Sequence, residues 1–390
     1  MPCSYCKSNH ESNNCPLWHK QLALTKVKNR EIKEEYFGSA PAPFVGSYGY
    51  PNVNIGILSP GIINNDPYDN PKLWSEQEFK ISQIIDLRSQ LINSRTNVNI
   101  KNFDEQVRLT QEISMSSRPA EVEFKLKKVP TFRLRLDAFT APTGPAAELQ
   151  KAKITSNTKI HTKVEKIVND EVKAEYAINY LYKQGFDENF LTKILSTGTL
   201  GIEKKIVPTK WSITAIDDSL SKNIITRMKE YAVADYQSFF GNYMGNYYLI
   251  MFFSDMWSYE LFECHIGTQG VSIDYEGFNG RKEYAYNCTG GYYTVRLAIA
   301  EKLKEMKRQA SVLTLRFITD EYTLPLGVWV TREASRKTLI EKPIKFASKE
   351  LMIEYAKILS KKKFGYDLTE YFNNCWFLKN VEKQKRLFDY

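Results

Sequence analysis

Four residues near the start of the chain have the types and spacing of a zinc site. Cys3 and Cys6 form a Cys-x-x-Cys turn, and His10 and Cys15 follow shortly after it. Thiolate and imidazole groups suit a closed tetrahedral zinc site, and a segment this short has no apolar core of its own. His19 is an alternative fourth ligand. We therefore predict one structural zinc ion; the alternative is a terminus that is rich in cysteine by accident.

The last residues of the chain have the spacing of a docking peptide. Gln384, Leu387 and Tyr390 lie three positions apart, and Phe388 lies among them. Side chains at i and i+3 eclipse in a 3₁₀ turn, so one amide, one aliphatic group and one aromatic ring would share a stripe. This spacing is similar to that of the peptide that binds the DNA sliding clamp (PCNA). The alternative is a frayed end, or a last turn that packs Leu387 and Phe388 on the body.

A second set of side chains could act on phosphates. Two pairs of neighbouring carboxylates could bind metal ions or serve as general acid and base, with an arginine for a phosphate and a tyrosine nearby. A Gly-x-x-x-x-Gly-Lys-Ser/Thr loop is absent from the sequence, which argues against an ATP-driven motor of that class. The catalytic candidates are Asp217, Asp218, Asp274, Glu276, Arg281 and Tyr293.

The first carboxylate pair has a simpler interpretation. Asp217 or Asp218 would cap a helix that continues to about residue 229, because a carboxylate accepts bonds from free amide groups and complements the helix dipole. We favour capping, since caps are common and paired catalytic acids are not.

Aromatic and basic residues suggest contact with nucleic acid. Tyr48 and Tyr50 lie in a stretch rich in Gly and Pro and could stack on bases, although a loop that covers the core is an equal alternative. Gly290 and Gly291 open a helix, where free amide groups can hold an anion. The basic residues of that helix form either a solvated face or a phosphate-contacting one. They are Arg296, Lys302, Lys304, Lys307 and Arg308.

Composition is typical of a globular protein with an acidic partner. The 390 residues are 43% hydrophobic and 25% charged, and the formal net charge of +9 favours nucleic acid as the partner. No charged-then-apolar leader begins the sequence, and its longest apolar run, 247–253, is far too short to span a membrane. We expect a protein without a membrane partner, located in the cytoplasm with the nucleoid.

Hydrophobic periodicity predicts an α+β fold, with a mixed helical and antiparallel-sheet body, a small zinc-binding element and a flexible C-terminal peptide. Gly and Pro in 37–56 argue against a regular helix or a central strand there. Helices are predicted at 20–36, 75–94, 103–115, 170–196 (broken at Gly185), 218–229, from the glycine pair at 290–291 through Arg296 to about 308, and at 348–360. Strands are predicted at 121–127, 131–136, 247–253, 259–265, 271–275, 311–318 and 324–331.

Several blocks of sequence resemble the archaeal Nre family of DNA repair proteins. The blocks occur in one order from about residue 30 to the end of the chain, which makes the resemblance specific. They are Phe-Gly-Ser at 37–39, Phe-Val-Gly at 44–46, Gly-Tyr-Pro-Asn-Val-Asn at 49–54, Val-Pro-Thr-Lys-Trp-Ser-Ile-Thr-Ala-Ile-Asp-Asp at 207–218, Asp-Tyr-Glu-Gly-Phe-Asn-Gly-Arg-Lys at 274–282, Gly-Gly-Tyr-Tyr at 290–293 and Leu-Pro-Leu-Gly-Val-Trp at 324–329.

The resemblance implies a large N-terminal domain, a smaller C-terminal domain, a role in DNA damage repair and a C-terminal peptide that binds the clamp. On that basis we expect a zinc element at 1–20, domains at 21–282 and 283–380, and a clamp-interacting tail at 381–390. Two features depart from the family. His10 stands where a third cysteine is usual, and the tail ends in a single aromatic residue, Tyr390.

Three functions are therefore compared. The first is a DNA repair factor that the clamp recruits through Gln384, Leu387, Phe388 and Tyr390, with a body that contacts DNA and other repair proteins as further partners. The second is a metal-dependent hydrolase or transferase acting on DNA or a nucleotide, targeted by the same tail. The third is a scaffold that joins the clamp to another protein.

Overall fold

Two six-stranded sheets organise the part of the chain that the computed structural model describes, which is residue 3 and residues 15–132, 142–267 and 270–381. The chain divides into two units. The first unit is Met1–Leu220 with Thr323–Gly327, and the second is Ser221–Tyr322 with Val328–Tyr390. The division after Leu220 falls within one long helix.

The first unit combines helices with a sheet of order β1-β5-β6-β4-β3-β2. All neighbouring strands of this sheet are antiparallel except β4 and β6, which are parallel. The elements are α1 (Pro16–Lys28), β1 (Glu35–Ala40), β2 (Ala42–Val45), β3 (Asn52–Ser59), α2 (Pro71–Glu76), α3 (Ile81–Ser89), β4 (Ile92–Asn99), α4 (Glu105–Met115), β5 (Ala120–Leu126), β6 (Ala146–Ile154), α5 (Thr162–Asn169), α6 (Ala174–Lys183), α7 (Glu188–Ser196) and α8 (Thr209–Met228), which ends beyond the division.

In strand β5, apolar and charged residues alternate, and this alternation determines which face of the strand meets the core. Val122, Phe124 and Leu126 are buried, whereas Glu123 and Lys125 between them are exposed, as expected where one face of a strand meets a core. Helix α4 packs close to this core and begins at Asp104, whose carboxylate accepts a bond from the Val107 amide.

The second unit has a sheet of order β10-β9-β11-β8-β7-β12, in which only the β9–β11 pair is parallel. Its elements are β7 (Gln237–Tyr243), β8 (Asn246–Phe253), β9 (Ser258–His265), β10 (Val271–Glu276), α9 (Thr289–Met306), β11 (Ser311–Ile318), α10 (Trp329–Ile340), β12 (Ile344–Lys345), α11 (Lys349–Phe364), α12 (Thr369–Asn374) and α13 (Trp376–Val381).

Helices cover both faces of this second sheet. Leu249, Met251 and Phe253 on β8 share a hydrophobic cluster with Met352 of α11 and Phe377 of α13. Helix α10 contacts β7 and β8 and also packs on α9. A strand buried on both faces needs apolar side chains at consecutive positions, and this accounts for the continuous apolar run of β8.

A buried carboxylate holds the start of α13. Glu260 of β9 accepts bonds from the Cys375 thiol at 2.9 Å, from the Trp376 amide at 3.0 Å and from the Phe377 amide at 2.8 Å. The contacts satisfy two amide groups at the beginning of α13 and tie that helix to the sheet.

Stability should depend on pH through Glu260. Burial raises the pKa of this carboxyl, and the bonds from Cys375, Phe377 and Trp376 offset that shift only in part. A folded-state pKa above the unfolded value adds stability at low pH that is lost as pH rises through the folded-state pKa. Glu260→Gln has no such titration, so the stability of the wild type relative to this variant should fall from acidic to neutral pH. Urea titrations of both proteins across this range measure the difference, and a constant difference would contradict the assignment.

The elements confirm the predicted mixture of helices and sheets but change several details. The helices at 103–115 and on either side of Gly185 are confirmed, as are the strands at 247–253, 259–265 and 311–318. The segment 324–331 is not a strand, because α10 begins at Trp329. The sheets are not wholly antiparallel, and β3, which includes Gly56, is an interior strand.

Part of the predicted elements cannot be compared with the structure. Most of the strand at 131–136 and the whole peptide 384–390 lie outside the described residues. None of the described helices is both long and apolar enough to cross a membrane.

Candidate functional site

Strand β10 places two of the catalytic candidates on one face of the second sheet. Asp274 and Glu276 are two positions apart, so their side chains point to the same side, and both are buried. Tyr275 between them is 44% exposed and stacks on Trp376, on the side of α13.

Asp274 is bound to groups of its own unit. Its Oδ1 accepts a bond from Arg281 Nη1 at 3.0 Å, and its Oδ2 accepts bonds from the amides of Asn287 at 3.0 Å and Cys288 at 2.7 Å. Cys288 is the residue that precedes α9, so this carboxylate lies at the positive end of the helix. An anion from solution would have to displace it there.

Glu276 forms a buried ion pair with Arg296 of α9. Glu276 Oε2 lies 2.6 Å from Arg296 Nη1, and each side chain is 1% exposed. Trp257 Nε1 donates to Glu276 Oε1 at 3.1 Å, and Arg296 Nε donates to Ser221 Oγ at 3.1 Å. The charges therefore neutralise each other inside the unit, with hydrogen bonds to the remaining polar atoms.

Arg281 and Tyr293 complete this polar network. Arg281 holds the 277–287 loop, donating to the carbonyl oxygens of Tyr275 at 3.0 Å, Glu283 at 2.9 Å and Tyr284 at 3.2 Å. The Tyr293 hydroxyl accepts a bond from the Ala285 amide at 2.9 Å. Four of the six catalytic candidates thus lie in one network, and each makes contacts that stabilise the loop or the helix beside it.

The other two candidates lie elsewhere in the chain. Asp217 and Asp218 belong to the first unit, in the middle of α8, which begins at Thr209. The prediction that one of them caps the helix is wrong, because the helix starts eight positions before Asp217, directly after Pro208. Proline fits a helix start, where it has no amide group to leave unpaired.

The glycine pair that opens α9 permits close packing. A Cβ atom on Gly291 would lie 2.8 Å from Glu263 Oε1, and one on Gly290 would lie 2.9 Å from Val328 Cγ1. Glu263 is in turn paired with Arg316, with 2.6 Å between Oε1 and Nη1. The anion next to this glycine pair is therefore a carboxylate of the protein itself.

The thiol beside the network is poorly suited to be a nucleophile. Burial raises the pKa of Cys288, and the negative charges of Glu263 and Asp274 raise it further. A nucleophilic cysteine needs the opposite shift, toward the thiolate.

The described residues do not decide the zinc prediction. Cys3 and Cys15 are both buried, whereas Cys6 and His10 lie outside the described part of the chain. Within the described part, no group of three or more His, Cys, Asp or Glu side chains could hold a metal ion. The two carboxylate pairs therefore do not form a metal centre with described side chains.

The basic face of α9 is smaller than its sequence suggests. Arg296 is buried against Glu276, so it does not reach the surface. Lys304, Lys307 and Arg308 are exposed at the end of the helix, and Lys302 pairs with Glu305.

The structure also reveals an exposed aromatic patch in the first unit, which we define as Tyr48, Tyr50 and Trp211. These rings are 91%, 49% and 43% exposed, and the centroids of Tyr50 and Trp211 lie 5.1 Å apart. Trp211 was absent from our sequence-based candidates. It follows Lys210 in the block at 207–218, and an aromatic residue beside a lysine at a helix start was the available signal.

The sequence blocks converge in two groups. The blocks at 44–54 and 207–218 meet in the first unit, where the Val45 amide donates to Thr209 Oγ1 at 2.9 Å. The blocks at 274–282 and 290–293 meet in the polar network of the second unit. The class that these observations define is an α+β protein with a closed polar network and an exposed aromatic and basic surface.

The chain belongs to the archaeal Nre family. The family's N-terminal part, described as "Archaeal Nre, N-terminal", matches residues 10–268, and its C-terminal part, "Archaeal Nre, C-terminal", matches residues 276–390. The gap between the two matches, 269–275, covers most of β10, and strands β7 to β9 fall in the first match while β11 and β12 fall in the second, so both matches contribute strands to the second sheet.

Relatives of similar length carry names from DNA repair. DNA repair protein NreB of Archaeoglobus fulgidus is 35% identical over an alignment of 331 positions that covers 82% of this chain and 84% of that protein. DNA repair protein NreA of the same organism is 34% identical and covers 89% of this chain and 90% of its own length. DNA repair protein NreA of Haloferax volcanii is 32% identical and covers 77% of each chain. No solved structure matches the chain.

Proposed function

We propose that this protein is a DNA repair factor that a sliding clamp recruits through its C-terminal peptide, while its body contacts nucleic acid. The observation that carries the repair role is the similarity, over most of the chain, to relatives named DNA repair proteins. The spacing of Gln384, Leu387 and Tyr390 supports the clamp as the partner.

The body has basic surface suited to a negatively charged partner. The net charge is +9, and Lys304, Lys307 and Arg308 are exposed at the end of α9. Salt-sensitive contacts between such side chains and phosphates are the usual source of affinity for DNA. The carboxylates that an enzyme of the hydrolase or transferase class would use are engaged with Arg281 and Arg296 in the second unit. We therefore place the binding function first.

Zinc is part of the same proposal. Cys3 and Cys15 are both buried, and Cys15 directly precedes α1. Burial of two thiols at the ends of a Cys-x-x-Cys…His…Cys segment fits a structural zinc ion bound by Cys3, Cys6, His10 and Cys15. When bound, the ion would hold these four side chains together.

Binding to the clamp should be lost when the peptide is altered. Leu387→Ala combined with Tyr390→Ala removes both apolar groups of the stripe that Gln384, Leu387 and Tyr390 would form, and we expect the dissociation constant for the purified clamp to rise by at least about tenfold. Calorimetry with the full-length protein measures this. Lys385→Ala lies in the same segment but off the stripe, so it serves as the matched control. Equal affinity of wild type and double variant would reject recruitment through this peptide.

A further inference from the structure

The aromatic patch of the first unit is built on three segments that backbone hydrogen bonds hold together. The Ile100 amide donates to the Pro51 carbonyl oxygen at 3.0 Å, and the Ile206 amide donates to the Ile100 carbonyl oxygen at 3.0 Å. The loop with Tyr48 and Tyr50, the end of β4 and the segment before α8 are therefore joined side by side.

The loop that carries Tyr48 is itself well anchored. The Gly46 amide donates to the Asn54 carbonyl oxygen and the Asn52 amide donates to the Gly49 carbonyl oxygen, both at 2.9 Å. Gly49 has a φ of 83°, which favours glycine, and a Cβ atom there would lie 2.7 Å from Asn52 oxygen. A tyrosine that is 91% exposed on such an anchored loop buries no core surface. Its exposure is easier to explain by a partner than by folding.

Three lysines lie close to the aromatic rings, in sequence or in space. Lys101 directly follows Ile100, and Lys210 directly precedes Trp211; both are exposed. Lys205 is close enough to Tyr50 for an electrostatic interaction, while its ammonium group also pairs with Glu203. The patch thus combines aromatic rings with cationic side chains, and this favours a polyanion that also carries flat apolar groups.

We propose that the aromatic patch binds single-stranded nucleic acid, with bases stacked on Tyr48 and Trp211 and phosphates near Lys101, Lys205 and Lys210. This inference rests on the proposed function and names the form of nucleic acid that the body binds. In a duplex the faces of the bases are stacked on each other, so exposed rings can bind them only where the strands are unpaired. Stacking on aromatic side chains tolerates every base, and the patch therefore has little sequence preference.

The test uses the full-length protein and a fluorescently labelled oligothymidylate, with a duplex of equal length for comparison. The wild type should bind the single strand more tightly than the duplex. Stacking of one base is worth on the order of a 5- to 150-fold change in affinity. Tyr48→Ala combined with Trp211→Ala should therefore weaken single-strand binding by at least about tenfold. Lys210→Ala should reduce the magnitude of the slope of log affinity against log salt concentration by about 0.7, the value for one lost phosphate contact on a single strand.

Two controls separate stacking from other effects. Tyr48→Phe keeps the ring and should bind like the wild type. Tyr286→Ala removes a tyrosine that is 75% exposed in the second unit, and it should also bind like the wild type. Tyr48 is 91% exposed and Trp211 is 43% exposed, so the double variant should keep a cooperative thermal unfolding transition, which shows that any loss of binding is not due to loss of the fold.

The outcomes distinguish this inference from the proposed function. If the wild type binds the single strand and the double variant binds it equally well, the aromatic patch is not the site, although contact of the body with DNA stands. If the wild type binds neither probe at low salt, the inference and that part of the proposed function both fail, and recruitment by the clamp is judged by the peptide variants alone. If the double variant still binds the single strand but no longer binds a protein partner, the inference is also overturned.

Discussion

Arg296→Met is expected to lower the free energy of unfolding by about 3–5 kcal/mol. The side chains of Arg296 and Glu276 are each 1% exposed, so removal of the guanidinium leaves a carboxylate buried without a countercharge. Methionine retains much of the aliphatic volume, and the lost charge is therefore the main change. Urea titration followed by circular dichroism measures the effect.

A second charge removal identifies the cause. Arg296→Met combined with Glu276→Gln contains neither charge, and we expect it to be more stable than Arg296→Met alone. Replacing both members of a buried ion pair is often tolerated, whereas replacing one leaves the other charge buried without a partner. Arg308→Met, at an exposed position just beyond the end of the same helix, should change the free energy of unfolding by about 0.5 kcal/mol or less. If the single and the double variant are equally destabilised, the unpaired charge is not the reason.

Phe377→Ala is expected to lower the free energy of unfolding by about 3–5 kcal/mol as well. Phe377 is 2% exposed, and its ring centroid lies 4.7 Å from that of Phe253 on β8. The truncation opens a cavity between α13 and the sheet. The effect should appear in urea titration and as faster amide hydrogen exchange in α13.

The matched control for this position is Phe377→Leu. Leucine fills most of the site, so this variant should lose about 1.5 kcal/mol or less. Leu351→Ala replaces an exposed leucine of α11 and should be close to neutral. Equal stabilities of Phe377→Ala and Phe377→Leu would mean that α13 does not depend on this contact.

The periodicity of apolar residues correctly predicted the elements whose type follows from a short stretch of sequence. The apolar run of β8 and the helices on either side of Gly185 are of this kind. It failed at 324–331, where Leu324, Leu326 and Val328 alternate as in a strand, yet Pro325 and Gly327 precede a helix. The position of β11 between β8 and β9 was also out of reach, because strand order depends on contacts between distant segments.

The site shows the same limit. Asp274, Glu276, Arg281 and Tyr293 were chosen for their chemistry, and they do lie together. What the sequence could not indicate is that Arg296 neutralises Glu276, since the partner is on another element. Burial is a property of the assembled fold, so a helix pattern alone placed Arg296 among the exposed basic residues. Trp211 was missed for the converse reason, because a tryptophan is more often buried than exposed.

Glu260 has a consequence for how the body would be presented on a clamp. It fixes the beginning of α13, and only two residues lie between Val381, where that helix ends, and Gln384. The three residue steps from Val381 to Gln384 span at most about 10 Å even when fully extended. A clamp that holds the peptide would therefore keep the second unit on a short tether, at high local concentration beside the DNA that threads the clamp. Inserting a long Gly-Ser linker at this point would lower the local concentration of the body at the DNA without altering any contact to the clamp.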